Sequence, residues 1–323
     1  MSELERSEPR PLRLGVSSCL LGEAVRYDGG HKRDRFLTDQ LGPFVEWVPV
    51  CPEVEAGLGL PRPSMRLMGE GGRVHIREVV SGLDHTPRMQ RYAGKRVRGL
   101  RSLALCGYVL KKGSPSCGMI RVKLYGEKGP ARREARGLYA SALMDAYPNL
   151  PVEDEDRMND PKLRENFIER VFAYRRLRAL FSGRWTYRRV GAFHAAHELQ
   201  LLAHSPLAYR ALGELLAEIE GSGRIAFRER YQAEFMQALR RPATRGRNAN
   251  VLQHAAGYFR KRLDGRVRSE LANLIEEYRR GLVPLMVPVT LIAHYVRLYQ
   301  VESLRGQHFL EPHPKELMLR NHA

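Results

Sequence analysis

The chain has 323 residues, 43% of them hydrophobic, enough for two units with cores of their own and too apolar for a disordered protein. Lys and Arg number 54 against 36 Asp and Glu, and a net charge of +18 points to a polyanionic partner, nucleic acid ahead of an anionic membrane surface. No apolar run is long enough to span a bilayer, and four cysteines spread over so long a chain argue against a disulfide scaffold.

Met1 to Arg10 is polar and charged, without the apolar core of a secretory signal, so a reduced cytoplasm is the expected setting. Pro11 to Val16 predicts a first strand that enters the loop Ser17-Ser18-Cys19-Leu20. Phe44 to Val50 predicts a second, ending at Cys51. Thr86-Pro87 opens a basic helix through Arg88, Arg91, Lys95, Arg96, Arg98 and Arg101, with proline at the first helical position. Leu103 to Leu110 reads as a third strand, followed by Ser114-Pro115-Ser116-Cys117-Gly118. Ala131 to Tyr147 reads as helical, and Leu150 to Val152 as extended. This rhythm predicts an α/β domain over residues 1–155, built on a mainly parallel sheet. Residues 156–184 read as a helical linker, and 185–323 as an all-α domain, with Leu212, Leu215, Leu216 and Ile219 at helical spacing.

Cys19, Cys51 and Cys117 each end or follow an apolar run beside Pro, Gly or Ser, where a strand gives way to a loop. Open α/β sheets place ligand-binding groups there. Three thiolates converging from three loop tips can hold a metal or cluster and leave one position for substrate. Their wide spacing lacks the close pairs of a zinc ribbon or ferredoxin loop, so each also reads as a buried thiol. Cys106 lies within the third predicted strand and reads as a packing residue. Glu53, two residues beyond Cys51, projects to the same side of an extended segment, either as a proton carrier or as a surface carboxylate. Ser114 and Ser116 bracket Pro115 and can donate to a cluster sulfide, an anion or substrate, or serve only the turn. Arg26, Tyr27 and Asp28, before Gly29-Gly30, offer a guanidinium and a stacking face for a base, or a plain turn. Arg62, between Pro61 and Pro63, has the same ambiguity.

Taken together these segments resemble the thiouracil desulfidase family. The matching blocks are Ser18-Cys19-Leu20-Leu21-Gly22, Arg26-Tyr27-Asp28-Gly29, Val50-Cys51-Pro52-Glu53, Leu110-Lys111 and Ser114 to Gly118, all in order within residues 11–155. The resemblance implies a [4Fe–4S] cluster held by Cys19, Cys51 and Cys117 with one iron left open. It also implies catalytic roles for Glu53 and a serine of the last block, Ser114 or Ser116. The second half resembles an uncharacterised bacterial family often fused to the first. His194-x-x-His197, Leu201 to Ser205, Asn250 to His254 and Gly257-Tyr258 carry that likeness, whereas Glu198 stands where lysine is common. Fused proteins of this kind look like desulfidases of 4-thiouridine in tRNA, the helical half supplying RNA affinity.

The expected reaction is a non-redox addition of water at a thiocarbonyl carbon, giving uridine and hydrosulfide, with substrate contacts from Arg26, Tyr27, Asp28 and Arg62. Two other readings stand beside it: an RNA-binding protein whose cysteines hold a structural zinc, and a desulfidase confined to free thiouracil. Basic clusters at Arg224–Arg230, Arg240–Arg247 and Arg260–Arg268 suit phosphate contacts, as does the stretch Arg88–Arg136 around the third cysteine motif. His194 and His197, at i and i+3, have metal-ligand spacing. Their apolar neighbours, and those of His204, His254 and His294, suit polar groups satisfied within a bundle or hydrogen bonds to RNA.

Overall fold

The computed structural model describes residues 12–126, 129–218 and 223–322. The predicted absence of a signal in Met1 to Arg10 lies outside the described residues. The chain divides into two compact units between Asn159 and Asp160.

The strands of the first unit are β1 (Arg13–Ser17), β2 (Glu46–Val50), β3 (Met65–Glu70), β4 (Arg73–Glu78), β5 (Gly107–Leu110), β6 (Val122–Tyr125), β7 (Arg132–Ala135) and β8 (Val152–Asp154). Its helices are α1 (Pro52–Glu55), α2 (Thr86–Leu100) and α3 (Leu138–Ala146). One sheet has the order β2-β1-β5-β8 and is parallel throughout. Its central strands are apolar in continuous runs because both faces are covered: Leu14, Val16, Tyr108, Val109 and Leu110 are fully buried. Gly15 admits the Tyr108 ring so closely that a Cβ there would sit 2.1 Å from a ring carbon.

A second, mixed sheet, β4-β3-β6-β7, lies outside the sequence reading. Its β3–β4 hairpin turns on Gly71-Gly72, both with positive φ, between the paired Glu70 and Arg73. That two-residue glycine turn is a hairpin signature the sequence carries openly. Leu67, Ile76, Val122 and Ala135 of this sheet pack on Met89 of α2. The expected single helix over 131–147 is therefore a correction: Arg132–Ala135 pairs antiparallel with β6, and the helix starts only at Leu138, after Gly137. The predicted strand 103–110 begins late, because Arg101–Leu103 forms a 3₁₀ turn and Ala104 is left-handed (φ 57°).

Helix α3 has no side-chain cap. Its first amides are met by the loop carrying Cys117: Leu138 donates to the Pro115 carbonyl (3.1 Å), and Tyr139 and Ala140 donate to that of Ser116 (3.0 and 3.1 Å). The loop thus satisfies donors that a helix start leaves orphaned, and the helix start holds the loop.

In the second unit, α4 (Pro161–Phe181), α5 (Tyr187–Ala196), α6 (Glu198–His204), α7 (Pro206–Ala217), α8 (Arg224–Leu239), α9 (Arg245–Gly257), α10 (Gly265–Arg280) and α11 (Met286–Leu298) follow one another without a described strand. The predicted linker 156–184 is mostly α4, and α4 is no mere connector. Ala173, Leu177, Leu180 and Phe181 form one core with Leu212, Leu215, Phe227, Tyr231 and Phe235. A second core joins Leu252 and Phe259 to Leu271, Ile275, Val289 and Ile292. No helix among the described residues is long and apolar enough to cross a membrane.

A Cβ at Gly137 would lie 2.4 Å from the Ser116 carbonyl oxygen and 2.9 Å from the Gly118 nitrogen. Both are backbone atoms that cannot swing aside. Gly137→Ala is expected to destabilise the first unit by about 1–3 kcal/mol, read as lost hydrogen-exchange protection of the β5 amides; unchanged protection contradicts the docking of this loop.

Candidate active site

Parallel pairing decides where the cysteines meet. β1, β2 and β5 are adjacent and run the same way, with Ser17 opposite Val50 and Val16 opposite Val109. Their carboxyl ends therefore share one edge. Cys19 sits in the 3₁₀ turn Ser18–Leu21 directly after β1. Cys51 follows β2 and caps α1, where Pro52 occupies the first helical position. Cys117 lies in the loop after β5. All three face one cavity of about 380 Å³ that also reaches Glu53, Arg62 and Ser114.

Burial dominates the electrostatics of the three sulfurs. It pushes the Cys19 thiol up to about 11, while Lys111 pulls the other way. It also raises Cys51, against the first-turn amides of Val54 and Glu53, and raises Cys117 well above the ordinary thiol value. Near neutral pH these groups are thiols, and a cation's charge is what converts such a set to thiolates.

The carboxylate of Glu53 is held from two sides. Ser116 Oγ donates to Oε1 at 2.8 Å, and Arg62 donates to Oε2 through Nε at 2.8 Å and Nη2 at 2.5 Å. Arg62 is buried, and also reaches the carbonyls of Val25 (3.0 Å) and Gly59 (3.2 Å). The two serines divide their tasks. Ser116 is fully buried behind Glu53. Ser114 lines the cavity, and its Oγ accepts from the amides of Ser116 (3.1 Å) and Cys117 (3.0 Å), leaving its own proton to donate.

Arg26 and Tyr27 are on the cavity wall, with the guanidinium 5.6 Å from the ring centroid and Tyr27 exposed. Asp28, expected beside them as a substrate contact, is not on that wall. It holds Arg26 through both oxygens (3.3 Å each) and accepts from the Gly30 amide at 3.0 Å. Arg62 reaches the cavity, but its guanidinium is committed to Glu53 and to backbone carbonyls. Cys106 lies off the cavity; it is buried just before β5, its amide donating to the Arg13 carbonyl at 2.8 Å. Two wall residues had no role assigned from sequence. Lys111 is ion-paired with Glu155, and its amide donates to Ser17 Oγ at 3.0 Å. The available signals were their place at the ends of β5 and β1 and, for Lys111, the Leu110-Lys111 block.

Among the described residues, no three His, Cys, Asp or Glu side chains converge closely enough to hold a single metal ion. The three cysteines line one cavity, and thiol donors of this kind are what an iron–sulfur cluster takes.

Residues 14–155 match the family model described as 2-thiouracil desulfurase, and residues 198–314 match that of a protein of unknown function, DUF1722. The uncharacterized protein YbbK of Bacillus subtilis (strain 168) is 32% identical over 111 residues, covering 32% of this chain and 71% of the relative. The chain belongs to the 2-thiouracil desulfurase family. The uncharacterized protein YbgA of Escherichia coli (strain K12) is 34% identical over 165 residues, 51% of this chain and 98% of that protein. A solved structure of a [4Fe-4S]-dependent thiouracil desulfidase, TudS, has 31% sequence identity, covers 46% of this chain and 93% of its own, and superposes with a TM-score of 0.39. The matched desulfurase segment contains every cysteine, serine and carboxylate of the cavity.

His194, His197 and His204 are held within the helical bundle, whereas His254 and His294 are exposed. His197 is fully buried, with Nδ1 on the Phe193 carbonyl (2.7 Å) and Nε2 accepting from Arg176 (3.2 Å), and burial holds it well below the usual imidazole range. His204 bridges the Arg241 carbonyl and Glu169, and His194 meets the Tyr231 hydroxyl. Parts of the basic clusters are likewise spent on structure. Arg224 stacks 4.1 Å from the Trp185 centroid, and Arg247 binds the carbonyls of Ala203 and Pro242.

Arg62 and Glu53 form a pair with side chains only 4% and 13% exposed. Removing the cation strands a buried carboxylate, so Arg62→Ala is expected to destabilise the first unit by about 3 kcal/mol. The double variant E53Q/R62A should recover part of that loss, a coupling of about 1–3 kcal/mol in a double-mutant cycle. Strict additivity contradicts the pairing.

Proposed function

We propose that the protein is an iron–sulfur-dependent desulfidase that removes sulfur from thiolated uracil, with 4-thiouridine in tRNA as its substrate. The observation that carries this reading is the convergence of Cys19, Cys51, Cys117, Glu53 and Ser114 on one cavity at the sheet edge. The cysteines would hold a [4Fe–4S] cluster with three protein ligands and one open iron. Bound there, such a cluster supplies a soft Lewis acid for the thiocarbonyl sulfur.

The chain's own residues do the rest. Glu53, oriented by Arg62 and Ser116, takes a proton from water as that water adds to the thiocarbonyl carbon. Collapse of the adduct breaks the carbon–sulfur bond and forms the carbonyl. Sulfur departs as hydrosulfide, and no electron is gained or lost. Ser114 donates to the ring or its flanking oxygen and sets the base in position. Tyr27 offers its exposed face to the base, and Arg26, braced by Asp28, offers charge to a carbonyl or phosphate. A reduced cytoplasmic setting suits three thiols that must stay unoxidised.

Isolated without oxygen, Cys19→Ser, Cys51→Ser and Cys117→Ser are each expected to lose visible absorbance and turnover together. Glu53→Gln should keep the absorbance and lose about 10²–10⁴-fold in turnover. Full activity in E53Q rejects its role as base. Thiolated tRNA should be preferred over free 4-thiouracil in kcat/KM, and equal values for the two reject the tRNA assignment.

A further inference from the structure

The second sheet carries a row of cations across all four of its strands. Arg66 of β3 stands opposite Arg77 of β4, and Lys123 of β6 opposite Arg133 of β7. Arg66 and Lys123 each come one residue before the paired Leu67 and Leu124, which makes them neighbours across β3 and β6. Like charges side by side on a sheet face destabilise it. Arg77, at the outer end, is neutralised by Glu70 (2.6 Å) and Asp84 (3.3 Å). The other three have no acidic partner among the described residues. Arg66 stacks 5.0 Å from the Tyr125 ring centroid, and its Nε–H is buried without an acceptor.

These three side chains, with Arg121, line a groove of about 550 Å³. Its acidic members are already engaged: Asp156 pairs with Lys112, and Asp154 accepts from the Arg157 amide at 2.9 Å. The groove adjoins the cysteine cavity, and Met65, Lys112, Gly113 and Pro115 belong to both walls. A free base has nothing to place there. A nucleotide in a chain must carry its flanking phosphodiesters out of the cavity, and this groove is a cationic exit.

We infer that Arg66, Lys123 and Arg133 form a phosphodiester-binding subsite of the first unit, which seats the RNA backbone beside the nucleotide being desulfurated. This rests on the desulfidase reading of the cavity and adds to it a second contact region, separate from the helical unit. The retained row of like charges is then a cost that a polyanion relieves.

The test is the full-length K123A/R133A variant, at two exposed positions off the cysteine cavity. Fluorescence anisotropy with tRNA across a salt series is expected to show weaker binding, with the log–log salt slope shallower by about 1.4, or ~0.7 per lost single-strand contact. KM for thiolated tRNA should rise roughly 10-fold or more, while free 4-thiouracil is turned over within about twofold of wild type. Melting temperature should hold or rise as the like-charge row is broken; R133Q alone should give about half of the slope change and serves if the double variant is unstable. An unchanged tRNA slope, an equal loss on both substrates, or competition by inorganic phosphate or phosphatidylserine vesicles matching that of tRNA overturns the subsite. An enzyme that desulfurates neither substrate sinks the functional reading instead, and the salt slope still decides the groove.

Discussion

Everything at the candidate site depends on three neighbouring strands running in the same direction. Were β1 antiparallel to β2 and β5, its carboxyl end would open at the opposite edge and Cys19 would stand a strand length from Cys51 and Cys117. Parallel pairing costs long crossovers, and here those crossovers hold β3, β4 and α2 between β2 and β5, and β6, β7 and α3 between β5 and β8. What it yields is a shared edge at which thiols distant in sequence face one cavity. Burial there favours the neutral thiol at each position. The edge is thus built to gather sulfur and, without a cation, not to ionise it.

The loops at that edge brace one another. Ser116, from the loop of Cys117, donates to Glu53, in the first turn of the helix capped by Cys51. Arg62 holds the same carboxylate, binds the Val25 carbonyl, and donates its own amide to the Tyr27 carbonyl at 3.0 Å. Cys51 Sγ reaches the same Val25 carbonyl at 3.7 Å. The group proposed as base is therefore also the joint between three loops. Helix α3 backs the assembly by donating its first-turn amides to carbonyls of the Cys117 loop. A site assembled this way keeps its shape through buried polar contacts, each satisfied by another loop.

Much of this was legible from residue order. Apolar runs ending at Cys19 and Cys51 marked β1 and β2, and Thr86-Pro87 marked the start of α2. Their common edge followed from the expectation of a parallel sheet. What stayed hidden depends on pairing between segments. Arg132–Ala135 has three charged or exposed residues and becomes a strand only because β6 lies beside it. The division between Ser114 and Ser116 is invisible in a turn motif that presents both equally. Asp28 sits next to two wall residues yet turns its carboxylate onto Arg26. The cation row on the second sheet needs a register across four strands, which no single segment displays. Histidine spacing alone was ambiguous: His194 and His197 stand at metal-ligand spacing, but their apolar neighbours suited bundle residues, and they are held by Tyr231, Phe193 and Arg176.

The central claim is that the thiols of Cys19, Cys51 and Cys117 hold a cluster rather than a lone ion or nothing. Iron and acid-labile sulfide per chain, measured on wild-type protein made and kept without oxygen, test it most directly. The account predicts about four of each, with a broad visible absorption that bleaches in air. One zinc per chain, or colourless protein lacking iron after anaerobic reconstitution, contradicts it.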